Sequence, residues 1–340
     1  MKDLTMKRHE FQHAARLFRA GRISLVDFTN QVYQEIKDDQ QPAAASTVSA
    51  KTKGSPVDPV SKKVTMPFRP VEAHKGDFGR VLVIGGCETM PGSIAMTSLA
   101  ALRSGSGLVI TLTPEDAEPV VSGFSPCPMV IGVDSKAGKF SKNSLDEILE
   151  HTQWADVVAI GPGMGRNKAG QKIMRQLYEK LPQPMVIDAD GLNNLADAGV
   201  EIDQHEGLRI LTPHPGEFRT IAGTKTSDRA EMEAEAIELA TKSKITILLK
   251  GHHTLVTDGA IVYRNESGNS GMATAGAGDV LTGVITSLLG QGLSPIDAAT
   301  TGCYIHGRAG DFASKKFGEI SMIATDILGE LPHAFKSISG

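Results

Sequence analysis

The stretch Asn269-Ser270-Gly271-Met272-Ala273-Thr274-Ala275-Gly276-Ala277-Gly278-Asp279-Val280-Leu281-Thr282-Gly283 runs small residues into a lone carboxylate where an apolar helix starts. Glycines let the backbone turn its N–H groups toward one point, and the following helix adds its positive end. The stretch therefore predicts an anion hole that holds phosphate oxygens without a cationic side chain. Beside a bound phosphate, Asp279 has a chemical use as the general base that takes a proton from an attacking hydroxyl. The plainer reading of the same residues is a glycine-rich turn whose acid caps a helix.

Upstream of this stretch, apolar β-rich runs alternate with helical patterns, as in a parallel sheet covered on both faces. Strands are predicted at 81–84, 108–112, 157–160, 185–187, 209–211 and 245–249. An antiparallel pair, 254–257 and 261–263, is predicted around the turn dipeptide Asp258-Gly259. Helices are expected at about 93–104, after Asn167, at 228–242, and from Ser294-Pro295-Ile296-Asp297, where Ser caps, Pro suits the first turn and Asp complements the dipole. No internal repeat is visible.

Open parallel sheets bind ligands beyond the carboxyl ends of their strands, and here those ends carry the polar motifs. Strand 81–84 runs into Gly85-Gly86 and then Met90-Pro91-Gly92-Ser93; strand 157–160 runs into Gly161-Pro162-Gly163-Met164-Gly165. Strand 185–187 leads to Asp188-Ala189-Asp190-Gly191-Leu192-Asn193, and 209–211 to Thr212-Pro213-His214-Pro215-Gly216-Glu217. Strand 245–249 leads to Lys250-Gly251-His252-His253-Thr254. Neither glycine cluster has the GxGxxG spacing of a dinucleotide fold, and GxxxxGK[ST] is absent. His214 between prolines reads either as a rigid turn or as a substrate contact. Lys250 reads as a solvated strand end or, with Gly251 permitting close approach, as a nucleotide contact. Asp188 and Asp190 hold either a loop or a hydrated magnesium ion.

The 340 residues are 40% hydrophobic and 22% charged with net charge -4, which suits a soluble globular protein and is mildly unfavourable for nonspecific nucleic-acid binding. Cys87, Cys127 and Cys303 form neither a disulfide framework nor a CxxC zinc pair, so a reducing cytoplasm is the expected compartment. No run approaches the ~18 apolar residues of a membrane helix, and the N-terminus lacks a signal-peptide core. Residues 8–37 carry two short helical patterns broken at Gly21. Residues 40–66 turn to Gln, Pro, Ala, Ser, Thr and Lys and read as a disordered linker. The expected organisation is a helical segment at 1–39, the linker at 40–66 and one compact domain at 67–340.

Taken in order, the GG turn with its following PG segment, ALRSGSGLV (101–109), GPGMG (161–165), IDADGLN (187–193), TPHPGE (212–217), LLKG (248–251) and NSGMATAGAGDVLTG (269–283) resemble the NAD(P)H-hydrate dehydratase family of the ribokinase-like superfamily. The resemblance spans about residues 67–337; the GxGD element alone is a mark of the superfamily. It implies a three-layer α/β/α sandwich with a mostly parallel sheet. It also implies a lyase that repairs hydrated NADH and NADPH, the S epimers of NADHX and NADPHX, with ADP as phosphate donor in the bacterial form, ATP in the eukaryotic one, and Mg2+ alongside. A kinase of a small alcohol or vitamin precursor is the alternative within the superfamily, and a non-catalytic nucleotide-binding module is the alternative outside it.

Carried over by motif, the resemblance makes Asp279 the catalytic residue at the hydrate's hydroxyl. It makes Ser93, Gly163 and His214 further substrate contacts. Lys250, Gly251, His252, His253 and Thr254, with Gly278, become the nucleotide contacts. Ser93 stands where the family commonly has Ala, and Ala277 where it commonly has Thr in the GxGD element, which removes one hydroxyl donor but leaves the backbone donors in place. The family also implies a homotetramer and a separate epimerase acting on the same substrate, because the segment before residue 67 is too short for that second domain.

Overall fold

The computed structural model describes residues 64–338. The chain divides into units 1–56 and 57–340, and the described residues lie in the second. The helical patterns at 8–37, and the linker as far as residue 63, fall outside the described residues. At the start of what is described, the Thr65 N–H donates to Thr301 Oγ1 at 3.2 Å while the Thr65 carbonyl accepts from the same hydroxyl at 3.1 Å.

The sheet is built from β1 (Arg80–Ile84), β2 (Leu108–Pro114), β3 (Met129–Val133), β6 (Val157–Ile160), β7 (Met185–Ile187), β8 (Arg209–Leu211), β9 (Thr246–Leu249), β10 (Leu255–Thr257) and β11 (Val262–Arg264). Its order is β11-β10-β9-β8-β7-β6-β1-β2-β3. All pairs are parallel except β9 with β10 and β10 with β11. A separate small hairpin joins β4 (Ser135–Lys136) to β5 (Lys139–Phe140). The chain runs from β1 out to β3, then returns to the other side of β1, where Val81 pairs with Val109 of β2 and with Val157 of β6. The order therefore reverses between β1 and β6, and a crevice opens there at the carboxyl edge.

Strand side chains alternate between two cores, because successive residues of a strand point to opposite faces. Val81 and Val83 face one core, with helices α1 (Pro91–Arg103), α8 (Ala277–Gly290), α9 (Pro295–Phe317) and α10 (Ala324–Lys336). Leu82 and Ile84 face the other, with α3 (Ser144–Thr152), α4 (Lys168–Lys180), α5 (Asp190–Asp197) and α7 (Arg229–Ser243). Burial on both faces explains why the strands read as unbroken apolar runs. This is the ribokinase-like α/β/α sandwich that the motifs imply.

The predicted Ser294 cap forms, its hydroxyl accepting from the Asp297 N–H, and Asn167 and Asp228 cap their helices in the same way by accepting from the N–H groups of Gly170 and Glu231. The Asp258-Gly259 turn also forms, with Asp258 Oδ1 accepting from Ala260 and Ile261 and Gly259 at φ 92. Several elements carry no clear pattern in the sequence: β3, the β4/β5 hairpin, α2 (Glu118–Phe124), α3, α5, α6 (Pro215–Ala222) and α10. Most are short, and α10 holds Pro332 inside the helix, which breaks the helical signal.

Candidate active site

The crevice between β1 and β6 brings two glycine turns together. Gly86 N–H donates to the Pro162 carbonyl at 2.8 Å, so the GG turn and the GPGMG turn are tied across the reversal point. Gly163 has φ 63, and a Cβ there would fall 2.7 Å from the Met90 carbonyl oxygen and 2.8 Å from Ser93 Cβ. Only glycine fits so close to the start of α1. The spacing of α1 and α8 has a similar cause: a Cβ at Gly283 would fall 2.2 Å from the Thr97 carbonyl oxygen. Close crossing of these helices, one turn further in, sets Ser93 beside Asp279, where the Ser93 hydroxyl favours the ionised carboxylate.

Asp279 lies in the first turn of α8, entered through Gly276 at φ 89 and ψ -16. A helix start leaves N–H groups without intrahelical partners, and their positive end points out of the helix at this place. Burial pushes the Asp279 carboxyl up to about 7; Asp188 adds to the rise, while the Ser93 hydroxyl and the Lys250 charge oppose it. A half-buried carboxyl poised near neutrality is suited to taking up and giving back a proton at physiological pH.

Beneath this helix start sits a buried ion-pair cluster drawn from four elements. Lys250, just past β9, places Nζ 2.7 Å from Asp188 Oδ1 and 3.9 Å from Glu217 Oε2. The other Asp188 oxygen accepts from the Thr282 hydroxyl of α8 at 2.7 Å. Burial works against the Lys250 ammonium, but Asp188, Glu217 and Asp279 together outweigh it and hold its pKa above the ordinary lysine value. Burial raises the Glu217 carboxyl, against the pull of Lys250. A Cβ at Gly278 would sit 3.4 Å from Lys250 Nζ, so the helix start rests directly on the ammonium.

The Asp188-Ala189-Asp190 turn sends its two acids different ways, and Ala189 carries φ 49 and ψ -124 between them. That conformation is costly for a residue with a side chain and is held by its surroundings. Asp190 Oδ2 accepts from the Gly165 N–H at 2.9 Å and Oδ1 from Asn193 at 3.3 Å, which anchors the GPGMG turn. Both acids thus bind protein groups, which favours the loop-holding reading over magnesium. Among the described residues no group of three or more His, Cys, Asp or Glu side chains is placed to hold a metal ion.

His214 is a helix cap as well as an exposed ring. Its Nδ1 accepts from Gly216 at 2.9 Å and Glu217 at 3.2 Å, while Glu217 Oε2 accepts from the His214 N–H at 2.8 Å. The rigid-turn reading holds, and through Glu217 the ring is linked to Lys250. After Lys250, Gly251 turns at φ 147, Thr254 donates to its carbonyl at 3.0 Å, and Arg229 supports the loop by donating to the Lys250 and Leu249 carbonyls. His252 and His253 stand exposed, ring edge to ring at 4.0 Å between centroids, and the ion pairs joining Lys250 to Asp188 and Glu217 do not extend to them.

The sequence reading gives no role to Glu217, Thr282 or Arg229. Glu217 had a usable signal, since an acid three residues after a capping side chain completes a capping box. Thr282 and Arg229 had none, because their partners lie far away in the chain.

The model of the NAD(P)H-hydrate dehydratase family matches residues 81–333, from the first strand to the last helix. The chain belongs to this family. It is 39% identical over 280 residues to a bifunctional NAD(P)H-hydrate repair enzyme of Moorella thermoacetica, covering 80% of this chain and 52% of that protein. With its Escherichia coli counterpart it shares 40% over 273 residues, covering 78% and 49%. The chain thus spans about half the length of the curated relatives it matches. Among solved structures, the ADP/ATP-dependent NAD(P)H-hydrate dehydratase of Bacillus subtilis, co-crystallized with ATP/Mg2+, superposes with a TM-score of 0.70 at 28% identity, covering 81% of this chain and 95% of that one. Hydroxyethylthiazole kinase of Pyrococcus horikoshii, at 16% identity and a TM-score of 0.53, shares the fold.

Proposed function

We propose that this chain catalyses the ADP-dependent dehydration of the S epimers of NADHX and NADPHX, returning NADH or NADPH with AMP and phosphate. The observation that carries the reading is the half-buried Asp279 carboxyl in the first turn of α8, at a helix start that rests on the Lys250 ammonium; burial pushes that carboxyl up to about 7. Hydroxide leaves a carbon badly at neutral pH. Asp279 takes the proton of the hydrate's hydroxyl while that oxygen bonds to the terminal phosphorus of ADP; the bond from this phosphorus to the bridging oxygen breaks, and AMP departs. The lone pair of the ring nitrogen then expels phosphate, and loss of a proton from the adjacent ring carbon restores the reduced nicotinamide.

Each remaining contact has a part in this scheme. Ser93, Gly163 and His214 face the hydrate across the β1/β6 crevice. Lys250, Gly251, His252, His253, Thr254 and Gly278 take the nucleotide, with the Lys250 ammonium under Gly278 adding positive charge to the anion hole. The Bacillus subtilis protein was crystallized with ATP/Mg2+, which supports a nucleotide-bound magnesium here too, held chiefly by phosphates. A homotetramer, a cytoplasmic setting and an epimerase feeding the S epimer complete the reading. No helix among the described residues is long and apolar enough to cross a membrane.

The test is Asp279→Asn with ADP and hydrated NADH, followed by the return of reduced-nicotinamide absorbance. The variant is expected to lose about 10²- to 10⁴-fold in kcat while still binding ADP. A near wild-type rate would refute the base assignment, and a wild-type protein that phosphorylates a small alcohol but never regenerates NADH would move it to the kinases.

A further inference from the structure

The β4/β5 hairpin stands apart from the main sheet, yet both of its ends are tied to the crevice. Its turn residues Ala137 and Gly138 have φ 53 and φ 71, the left-handed pair of a tight two-residue hairpin. Asp116 Oδ2 holds the turn by accepting from the Ser135 hydroxyl at 2.6 Å and the Gly138 N–H at 3.2 Å. The Gly138 carbonyl accepts in turn from the Glu88 N–H at 2.9 Å, just beyond the GG turn. At the other end, the Phe140 carbonyl accepts from Asn167 Nδ2 at 3.0 Å, where α4 begins just past the GPGMG turn. The hairpin is therefore strapped between the segments that follow the two glycine turns.

Neighbouring strand residues point to opposite faces, so Phe140 fills the core while Lys139 lies outward, half-buried, across the GPGMG turn. A Cβ at Gly165 would fall 3.1 Å from Lys139 Cε, 3.2 Å from Cδ and 3.5 Å from Nζ. The lysine stem thus packs on the glycine and carries the ammonium to the turn. Among the described residues this ammonium has no hydrogen-bond or ion-pair partner. Its cationic neighbours are engaged: Arg166 binds Asp197 at 2.7–3.0 Å, and Lys168 donates to Gln171 at 3.1 Å. The backbone of the turn is engaged as well, because the N–H groups of Gly161, Met164 and Gly165 donate to the Ile84 and Gly161 carbonyls and to Asp190. An anion laid along this turn therefore draws its positive charge from Lys139.

We infer that Lys139 grips the diphosphate bridge of the hydrated dinucleotide. The inference rests on the proposed reaction, which puts the hydrated ring at Asp279 with Ser93 and Gly163 as contacts. From that ring the molecule continues through a ribose to a diphosphate carrying two negative charges, and the turn from Gly163 to Gly165 leads outward beneath the Lys139 ammonium. A compact charge on a flexible stem suits a phosphate oxygen without demanding a planar, two-pronged fit. The diphosphate is common to NADHX and NADPHX, so Lys139 holds the two hydrates alike rather than choosing between them. A contact remote from the reacting atoms is made equally in ground and transition states, and it acts on KM rather than kcat.

The test compares Lys139→Met and Lys139→Arg in the full chain, with ADP and each of the two hydrates, by the return of reduced-nicotinamide absorbance. The Met variant is expected to raise KM for NADHX and NADPHX by the same factor, about tenfold, with kcat and KM for ADP within about twofold of wild type. Arg should recover most of that loss. Added salt should raise the hydrate KM of wild type more steeply than that of the Met variant, because screening acts on a charge the variant lacks. Melting temperatures should stay within about 2 °C of wild type, since the ammonium binds no protein group. A KM rise confined to NADPHX would move the contact to the 2′-phosphate, and one confined to ADP would move it to the nucleotide donor; either overturns the inference. So would an unchanged hydrate KM, a fall in kcat alone, an Arg variant as weak as Met, or a markedly lower melting temperature for Met. Wild-type protein that never regenerates NADH would instead sink the underlying reaction, so the two failures are told apart.

Discussion

Two buried cations sit at the ends of neighbouring strands and have opposite surroundings. Arg209 opens β8 at the amino edge of the sheet and is 1% exposed. Its guanidinium donates to the carbonyls of Leu177, Tyr178, Leu181, Gln183 and Leu208 at 2.6–3.3 Å, closing the C-terminus of α4. Lys250 follows β9 at the carboxyl edge and keeps a fifth of its side chain accessible. Burial lowers both pKa values in principle; for Arg209 it wins and brings the value to about 10, whereas the carboxylates around Lys250 overturn it. Carbonyl dipoles satisfy Arg209 fully, so it has nothing left to offer a ligand. Lys250 is paired with carboxylates yet still faces the start of α8, where an anion is expected. A saturated buried cation builds the fold, and an incompletely enclosed one is available for chemistry.

The sharpest way to break this contrast is Arg209→Leu. Five carbonyls lose their donor, and unfolding by denaturant should show a loss of about 3–5 kcal/mol, with turnover per folded molecule within about twofold of wild type. A stable variant with lost turnover would erase the distinction. Lys250→Gln keeps a hydrogen bond to Asp188 but removes the charge; kcat/KM should fall about 100-fold, near 2.7 kcal/mol, with a smaller loss of stability than the Arg209 variant shows. Turnover unaffected by this change would make Lys250 structural as well.

The subtlest effect is in pH. With Asp279 near 7, kcat/KM should rise about tenfold per unit as pH increases toward that value and then level off. The stability change runs the other way. A carboxyl whose folded pKa is raised favours the fold below its unfolded value of 3.8, and that contribution is lost as pH climbs through about 7. Asp279→Asn should therefore melt higher than wild type at pH 8, by about 2 °C or more, with the gap closing toward pH 4. A rate flat from pH 5 to 8 would place the titrating base elsewhere.

Much of this site is legible in the linear chain because each motif follows its own strand. Asp279, Gly163, Lys250 and His214 each stand at the carboxyl end of a strand or at the start of a helix, which local pattern reveals. The sequence also left real alternatives: it could not tell whether Asp188 holds a loop or a metal, nor whether His214 is a cap or a contact. The structure pairs Asp188 with Lys250 and Thr282, residues 62 and 94 positions away in the chain. It shows that His214 caps α6. Glu217 needed the His214 backbone and the Lys250 ammonium to acquire meaning, and neither relation is periodic.

Apolar periodicity, glycine placement and turn chemistry, all short-range, determined the parallel sheet, its order of elements and the family to which the chain belongs. Which charges meet was decided only when β7, β9, α6 and α8 converged on one edge. Electrostatic partnership depends on distance through space and on exclusion of water, and a sequence encodes neither until the chain has closed on itself. For the same reason the raised Asp279 carboxyl and the enclosed Arg209 belong to the tertiary structure alone.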